Sequence, residues 1–435
     1  MTTNKTDVII VGAGVAGVAA GITLARAGKK VVIVERGSYA GAKNMFGGAI
    51  YDYPTRDLYP EFREQAPIER VNKTHKYMIN DDNTSVTLSF NNEKSETSYT
   101  VIRAKWDKWC VERAVELGAY YSPMTVVREL IVKDGKVVGI KTDEEEFYAD
   151  IVILADGANS LLAKQIGLRK NLKDCENAIG VKEVISLPKE VIEERFNLSP
   201  EGGCVTEIIG APMKGITGLG FMYTNKNSVS IGLGVNLDEL KKHKLTPNEL
   251  LNKLKEHPSI APLIKDGELL EYSAHLIPEG GFNAMPKLYG DGVMVVGDAG
   301  MLVNNVHWEG TNLAMMSGML AAQTAIEALN KNDFSSKMLS LYEKKFKETS
   351  FYKDMRTYKD AVKIVHNNAY SFLWFYPQKI NEFFEMFTES GYVPRRSLYK
   401  RFIKNFIKKR NIKGLIKDAI NFARLFFGVL KSDGI

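Results

Sequence analysis

Three glycines open the chain's chemistry. Gly12, Gly14 and Gly17 form G-x-G-x-x-G directly after the apolar run DVIIV, and Glu35 follows 18 residues past the third. Gly12 allows a tight turn, Gly14 lets the backbone approach a pyrophosphate, and Gly17 permits close packing of a helix on a strand. The N-terminus of the following helix favours anionic phosphates. A carboxylate at Glu35 can accept hydrogen bonds from a ribose hydroxyl. The spacing therefore predicts a dinucleotide site. Two more loops carry an acid and a glycine after a buried run: Asp156–Gly157 in ILADGANS and Gly297–Asp298 in MVVGDAG. Each aspartate alone could be a simple loop cap. A second G-x-G-x-x-G in a strand–turn–helix context is not visible. His307, in NNVHWEG, can carry a proton near neutral pH, although a hydrogen-bonded packing histidine is the plainer reading. No Ser/His/Asp set, H-E-x-x-H or clustered metal ligands point to another chemistry. The three cysteines, Cys110, Cys175 and Cys204, are too few for a four-cysteine iron–sulfur cluster in this chain. Their odd number and wide spacing also argue against a disulfide framework.

The elements that must position these residues are legible in part. DVIIV (7–11) reads as a buried strand, 15–27 as a helix ending at Gly28, and 30–36 as a second strand, together a β-α-β unit. Residues 85–102 alternate like antiparallel strands, and 105–118 read as a helix. KVVGIKT and EFYADIVILADG follow as strands. Residues 180–235 are strand-rich, with TGLGFMYTNKNSVSIGLGV suggesting a hairpin. Another buried strand lies at 292–298, a helix at about 310–330, and mostly helix beyond. The dinucleotide-type pieces are interrupted by antiparallel insertions, so one interleaved two-domain body is expected. At 435 residues, 45% hydrophobic and 25% charged, the composition is globular. The N-terminus is polar, with no evident signal peptide.

Charge is uneven. The formal net charge is +6, but residues 395–417 hold ten Lys and Arg and no Asp or Glu. The rest of the chain has 48 basic residues against 52 acidic ones. Leu398, Phe402 and Phe406 recur at i+4, as do Tyr399, Ile403 and Ile407. This predicts an apolar stripe flanked by cations, the pattern of a helix lying on anionic lipid. Residues 419–430 add a second apolar face, too short to span a bilayer. A basic face for an acidic partner is the competing reading. No nucleic-acid module accompanies the charge.

The loop ERGSYAGAKNMFGGAIY (35–51) resembles that of FixC-type electron transfer flavoprotein–quinone oxidoreductases. These belong to the glutathione-reductase-like FAD superfamily, related to geranylgeranyl reductases. The likeness continues through YTVIRAKWDKW, ILADGANSLLA, LPKEVIEERFNL, GFMYTN, LKEHPSIAPLI, EYSAHLIPEGG and GDAGM, and covers essentially the whole chain. It implies an α/β fold. A Rossmann-like FAD-binding domain (1–75, 100–180 and 290–330) with a parallel sheet would be interleaved with an antiparallel β domain for quinone or substrate (76–99 and 181–289). A helical C-terminal region (331–435) would carry the docking segment. Gly12, Gly14, Gly17, Glu35 and Arg36 would hold the ADP half of FAD. Lys43, Asn44, Gly47 and Gly48 would lie along the flavin, and Arg103 and Val127 would touch the cofactor. Asp156, Gly157, Gly297, Asp298, Gly310, Thr311 and Asn312 would complete the site. Gly218 and Leu219 would offer backbone groups to a quinone. The resemblance further implies electron transfer flavoprotein subunits and a small ferredoxin-like iron–sulfur subunit as partners. It places the protein in the cytoplasm, peripheral on the inner face of the cell membrane through 395–430. A prenyl reductase of the geranylgeranyl-reductase type is the alternative. A non-enzymatic binder on the same scaffold is a third reading, which the intact glycines, Glu35 and Asp298 oppose.

Overall fold

The computed structural model describes residues 5–43, 48–388 and 390–428. The chain divides into two compact units, each made of three stretches. The first takes residues up to Val71, then Glu96–Asn177 and His275–Lys359. Its main sheet has the order Tyr289–Gly290, Val293–Val295, Glu146–Leu154, Lys5–Val11, Val31–Val34 and Tyr120–Ser122. The four central pairings run parallel. Val8, Ile9 and Ile10 are fully buried, as a central parallel strand covered on both faces requires. The antiparallel strands Val127–Lys133 and Lys136–Thr142 attach to Glu146–Leu154.

The helices Val15–Arg26 and Thr311–Lys331 pack together. Small residues make this approach possible: a Cβ on Gly318 would stand 2.1 Å from the Ala16 carbonyl oxygen. The helix Arg103–Glu116 adds Trp106 and Trp109 to the same core, where both meet Tyr59. The expected elements of this unit are present, each within a few residues of its anticipated bounds.

The second unit comprises Asn72–Ser95, Ala178–Ala274 and residues from Asp360 onward. The strands Asn177–Ser186, Ser228–Asn236, Gly218–Thr224 and Gly202–Gly210 lie side by side, antiparallel. The predicted hairpin is the pair 218–224 and 228–236. Residues 72–80 of the long strand Ile68–Asn80 extend this sheet and carry Ser85–Asn91 on their other side. That long strand had no distinct signal in the sequence. One sheet face buries Ile208, Met222, Ile231, Leu233 and Val235 with Leu250, Leu251 and Leu254 of the helix Pro247–Glu256.

The C-terminal helices Tyr376–Thr388, Arg395–Lys409 and Ile412–Phe427 also belong to this unit. Here one expectation needs correction. Phe402 and Phe406 do not form an outward stripe: their rings pack on Phe383, Phe375 and Tyr376, and Tyr399 stacks on Phe383. The outward apolar residues are Ile403 and Ile407, joined by Ile412, Ile416, Ile420 and Phe426 of the next helix. A helix with two apolar rows commits one of them to its neighbours. Sequence periodicity cannot say which. Residues 429–430 of the anticipated second face lie outside the described residues.

Candidate flavin site

The site is built at the carboxyl ends of the parallel strands, where open α/β sheets place their ligands. Gly12 follows Lys5–Val11 with φ +106°, and a Cβ there would meet the Ala155 carbonyl oxygen at 2.3 Å. Its N–H donates to the Val34 carbonyl at 2.8 Å. Gly17 backs onto this turn: a Cβ would stand 2.0 Å from the Gly12 oxygen. Gly14 differs. It caps the helix Val15–Arg26 in extended backbone, and a Cβ would meet nothing within 4 Å. The space above it is the cradle a pyrophosphate needs.

Glu35 ends the second strand. Its carboxylate accepts N–H groups from Ala13 at 2.9 Å and Gly37 at 2.7 Å, which fixes it beside the glycine turn. Val127 is half-buried, two residues after Thr125, whose N–H donates to the Glu35 carbonyl. Arg36 and Lys43 are exposed, and Gly48 is buried with its carbonyl accepting from Val101. Asn44 and Gly47 lie outside the described residues.

The two aspartate loops play different parts. Asp156 accepts from the Ser160 hydroxyl at 3.1 Å and the Leu162 N–H at 3.3 Å. It therefore caps the helix Leu161–Gln165, the bland alternative raised for it. Beside it, Gly157 has φ +73° and open space at its Cβ position. Gly297 donates its N–H to Ser317 at 2.9 Å, and a Cβ there would crowd Ala16 at 2.9 Å. Asp298 makes no side-chain hydrogen bond among the described residues. Burial pushes its carboxyl up, while Arg103 and Arg169 pull it the other way. Arg169 holds the loop by donating to the Asp298 and Ala299 carbonyls.

Arg103 forms a buried bidentate pair with Asp107, at 2.7 and 2.8 Å. Burial works against the guanidinium charge, and Asp107 more than offsets it. The i+4 spacing in RAKWD was a signal for this pair. His275 stands near Arg36 and Arg103; burial lowers its affinity for a proton, and the two cations lower it further. Glu279 has a carboxyl pushed up to about 7 by burial. Both lie in EYSAHLIPEGG, a stretch of the family likeness that assigned neither of them a role.

Gly310 caps the helix Thr311–Lys331. Thr311 and Asn312 are buried in its first turn, and Asn312 Oδ1 has no hydrogen-bond partner among the described residues. An orphaned buried acceptor at a helix N-terminus is a place for a ligand N–H. His307 sits edge-on to Tyr358, ring centres 5.4 Å apart. Burial pushes the Glu309 carboxyl up; the neighbouring His307 and the Asn312 side chain oppose that.

The structure thus gathers Gly12, Gly14, Gly17, Glu35, Asp156–Gly157 and Gly297–Asp298 at one edge of one sheet. Gly218 and Leu219 belong to the other unit. The open cradle at Gly14, the unengaged Asp298 carboxylate and the orphaned Asn312 oxygen fit a long anionic dinucleotide with a polar ring system. Among the described residues, one other group has metal-ligand spacing: Asp238, Glu239 and His366.

Comparison with known proteins agrees. Residues 5–350 match the FAD binding domain family, and residues 361–427 match the ETF-QO/FixC family C-terminal domain. Protein FixC of Azorhizobium caulinodans is 43% identical over 432 residues, covering 98% of this chain and 99% of that protein. Protein FixC of Escherichia coli K12 is 39% identical over 426 residues, covering 97% and 99%. Among solved structures, a geranylgeranyl bacteriochlorophyll reductase-like protein of Thermoplasma acidophilum superposes with TM-score 0.71 at 22% identity, over 85% of this chain and 91% of that one. A flavin-dependent brominase gives TM-score 0.66 at 15% identity, over 93% and 100%. These two share the fold. The glycine cradle, the acid at the end of the second strand and the full-length likeness together make this chain an FAD-dependent oxidoreductase of the FixC family.

Proposed function

We propose that the protein takes electrons from an electron transfer flavoprotein and delivers them through FAD to a membrane quinone. It would do so in a complex with a small ferredoxin-like iron–sulfur subunit, on the inner face of the cell membrane. The observation that carries this reading is the match of residues 361–427 to the ETF-QO/FixC C-terminal domain. Bound FAD supplies chemistry that can exchange one or two electrons. The protein's part is to hold it. The helix N-terminus at Gly14 would hold the pyrophosphate, Glu35 the ribose, Asp298 the ribityl hydroxyls, and Asn312 the flavin ring. Arg103, locked by Asp107, sets the positive potential near Asp298. His307 is the group we assign to proton exchange on this side.

The C-terminal helices support a lipid surface as the docking site. Ile412, Ile416 and Ile420 repeat at i+4 and are all exposed, as are Ile403, Ile407 and Phe426. The ten cations of 395–417 lie along the same stretch of chain, although Arg410 is paired with Asp418. Each cation near an anionic surface contributes about 1 kcal/mol. No helix among the described residues is long and apolar enough to cross a membrane, so such docking would be peripheral. The separate iron–sulfur subunit is what the FixC resemblance implies; Cys110, Cys175 and Cys204 cannot ligate a four-cysteine cluster by themselves.

The test is purification from membranes with its partners, followed by stopped-flow reduction. Reduced electron transfer flavoprotein should bleach the flavin quickly and NADH slowly, with quinone restoring the colour. Rapid direct reduction by NADH, or saturated isoprenoid products from a prenyl substrate, would overturn the proposal.

A further inference from the structure

The second unit contains a carboxyl group that its fold leaves without employment. In the strand pairing, Glu207 lies opposite Phe221, Phe221 opposite Gly232, and Leu219 opposite Gly234. Alternation along the strands sends Glu207, Leu219, Phe221 and Tyr223 to one face of the sheet. Ile208, Met222, Ile231 and Leu233 fill the core on the other. The Phe221 ring lies over Gly232, where a Cβ would come within 2.4 Å of it, and it stacks on Tyr223 at 5.1 Å. At Gly234 a Cβ would meet nothing within 4 Å, so a notch opens beside Leu219. This face is a flat aromatic floor with a gap next to it.

Glu207 stands at its side. Its Oε2 is buried and has no hydrogen-bond partner among the described residues. Burial pushes the carboxyl up to about 7. The ionisable groups around it do not neutralise it. Tyr77, from the strand Ile68–Asn80, is itself pushed up, by burial and then by the Glu207 charge. Cys204, on the same strand as Glu207, is pushed up to about 11 by burial. Lys182, across Gly232 from Phe221, has Glu271 at 3.6 Å. A buried acid with an unused oxygen beside an aromatic floor can donate a hydrogen bond, and then a proton, to the oxygen of a planar ring ligand.

We infer that Glu207 is a proton donor to the quinone, seated on the Phe221–Tyr223 face beside Leu219. The inference rests on the quinone reading above. Reduction of a quinone to a quinol takes two electrons, supplied through the FAD, and two protons. Glu207 supplies one proton, its O–H bond breaking as a quinol O–H bond forms, and water supplies the other. The carboxylate left behind is reprotonated from water.

The experiment uses holoprotein with its flavin pre-reduced and follows reoxidation at the flavin absorbance band. A short-tailed, water-soluble benzoquinone is one oxidant. Ferricyanide, which takes electrons and no protons, is the other. Wild-type reoxidation by quinone should slow as pH rises through about 7. Glu207→Gln should be slower by at least about 10²-fold with quinone, the usual worth of general acid catalysis. It should lose the bend in the pH profile while keeping the wild-type rate with ferricyanide. Glu207→Asp should recover part of the rate with a shifted bend. Glu207→Gln matching wild type in rate and pH profile would overturn the assignment. A wild-type protein oxidised by ferricyanide and never by quinone would overturn the quinone reading itself, before any variant is made.

Discussion

Gly14 and Gly17 sit three residues apart in one motif, and the structure predicts that alanine has opposite consequences at the two positions. At Gly14 the backbone is extended and the Cβ position is open. Losing glycine at a helix N-cap costs about 0.5–1 kcal/mol, offset by about 0.4–1 kcal/mol from restricting the unfolded chain. The flavin-free protein should therefore melt within a few degrees of wild type. The methyl group would, however, occupy the cradle above the helix N-terminus. Loss of one charge-assisted hydrogen bond to phosphate costs about 1.5–3 kcal/mol, or roughly 10- to 150-fold in FAD affinity. At Gly17 the new Cβ would stand 2.0 Å from the Gly12 oxygen, with Ile10 and Ala155 at 3.1 and 3.2 Å. Gly12 cannot retreat, because it already abuts the Ala155 carbonyl. Overpacking of this kind costs about 1–3 kcal/mol, or roughly 2–12 °C in melting temperature at about 2–4 °C per kcal/mol. The assay is a thermal melt of the deflavinated proteins together with an FAD titration. Gly14→Ala binding FAD as tightly as wild type, or Gly17→Ala melting with wild type when flavin-free, would refute the reasoning.

Three further outcomes are expected. Asp298→Asn should weaken FAD about tenfold or more, since its carboxylate takes no other side-chain bond; Asp156→Asn, altering a loop cap, should leave FAD binding within about threefold and cost about 1 kcal/mol of stability; equal effects in titrations of the two would contradict the division of labour. Glu207 is raised from its ordinary 4.5 to about 7 when folded, so the folded state prefers the protonated acid and stability falls as pH rises from about 4.5 to 7. At about 1.4 kcal/mol per unit that amounts to roughly 3 kcal/mol above pH 7. Glu207→Gln should therefore match wild type in denaturant melts at pH 4 and exceed it at pH 8, and parallel curves at both would count against burial as the cause. Replacing Ile412, Ile416 and Ile420 by serine should abolish flotation with anionic vesicles at low salt while leaving FAD content intact; unchanged flotation would remove these residues from the docking face.

The dinucleotide turn was legible because its requirements are local. A tight turn, an open backbone and a close helix each demand glycine at a fixed place, and the strands on either side are runs of β-branched residues. Gly12, Gly14, Gly17 and Glu35 could be named from spacing alone, as could the helix near 310–330, whereas Asp298 was assigned only through the family resemblance. Other features depend on which strand lies beside which. Asp156 carries the same signature as Asp298, yet only the folded loop gives it Ser160 and Leu162 as partners. Phe402 and Ile403 both read as members of apolar rows; packing on Phe383 half-buries the first, and the second stays exposed. Glu207 lies in a strand whose sequence shows an ordinary acid. Its burial and its place beside Phe221 come from pairing with residues 14 positions away, a register that side-chain types do not encode. The sequence determined the cofactor's cradle, because glycine and acid positions there follow from short-range geometry. Only the tertiary structure decided which acids are spent as caps, which are left free, and which apolar face meets the outside, because desolvation and hydrogen-bond partners are properties of neighbours brought together across the chain.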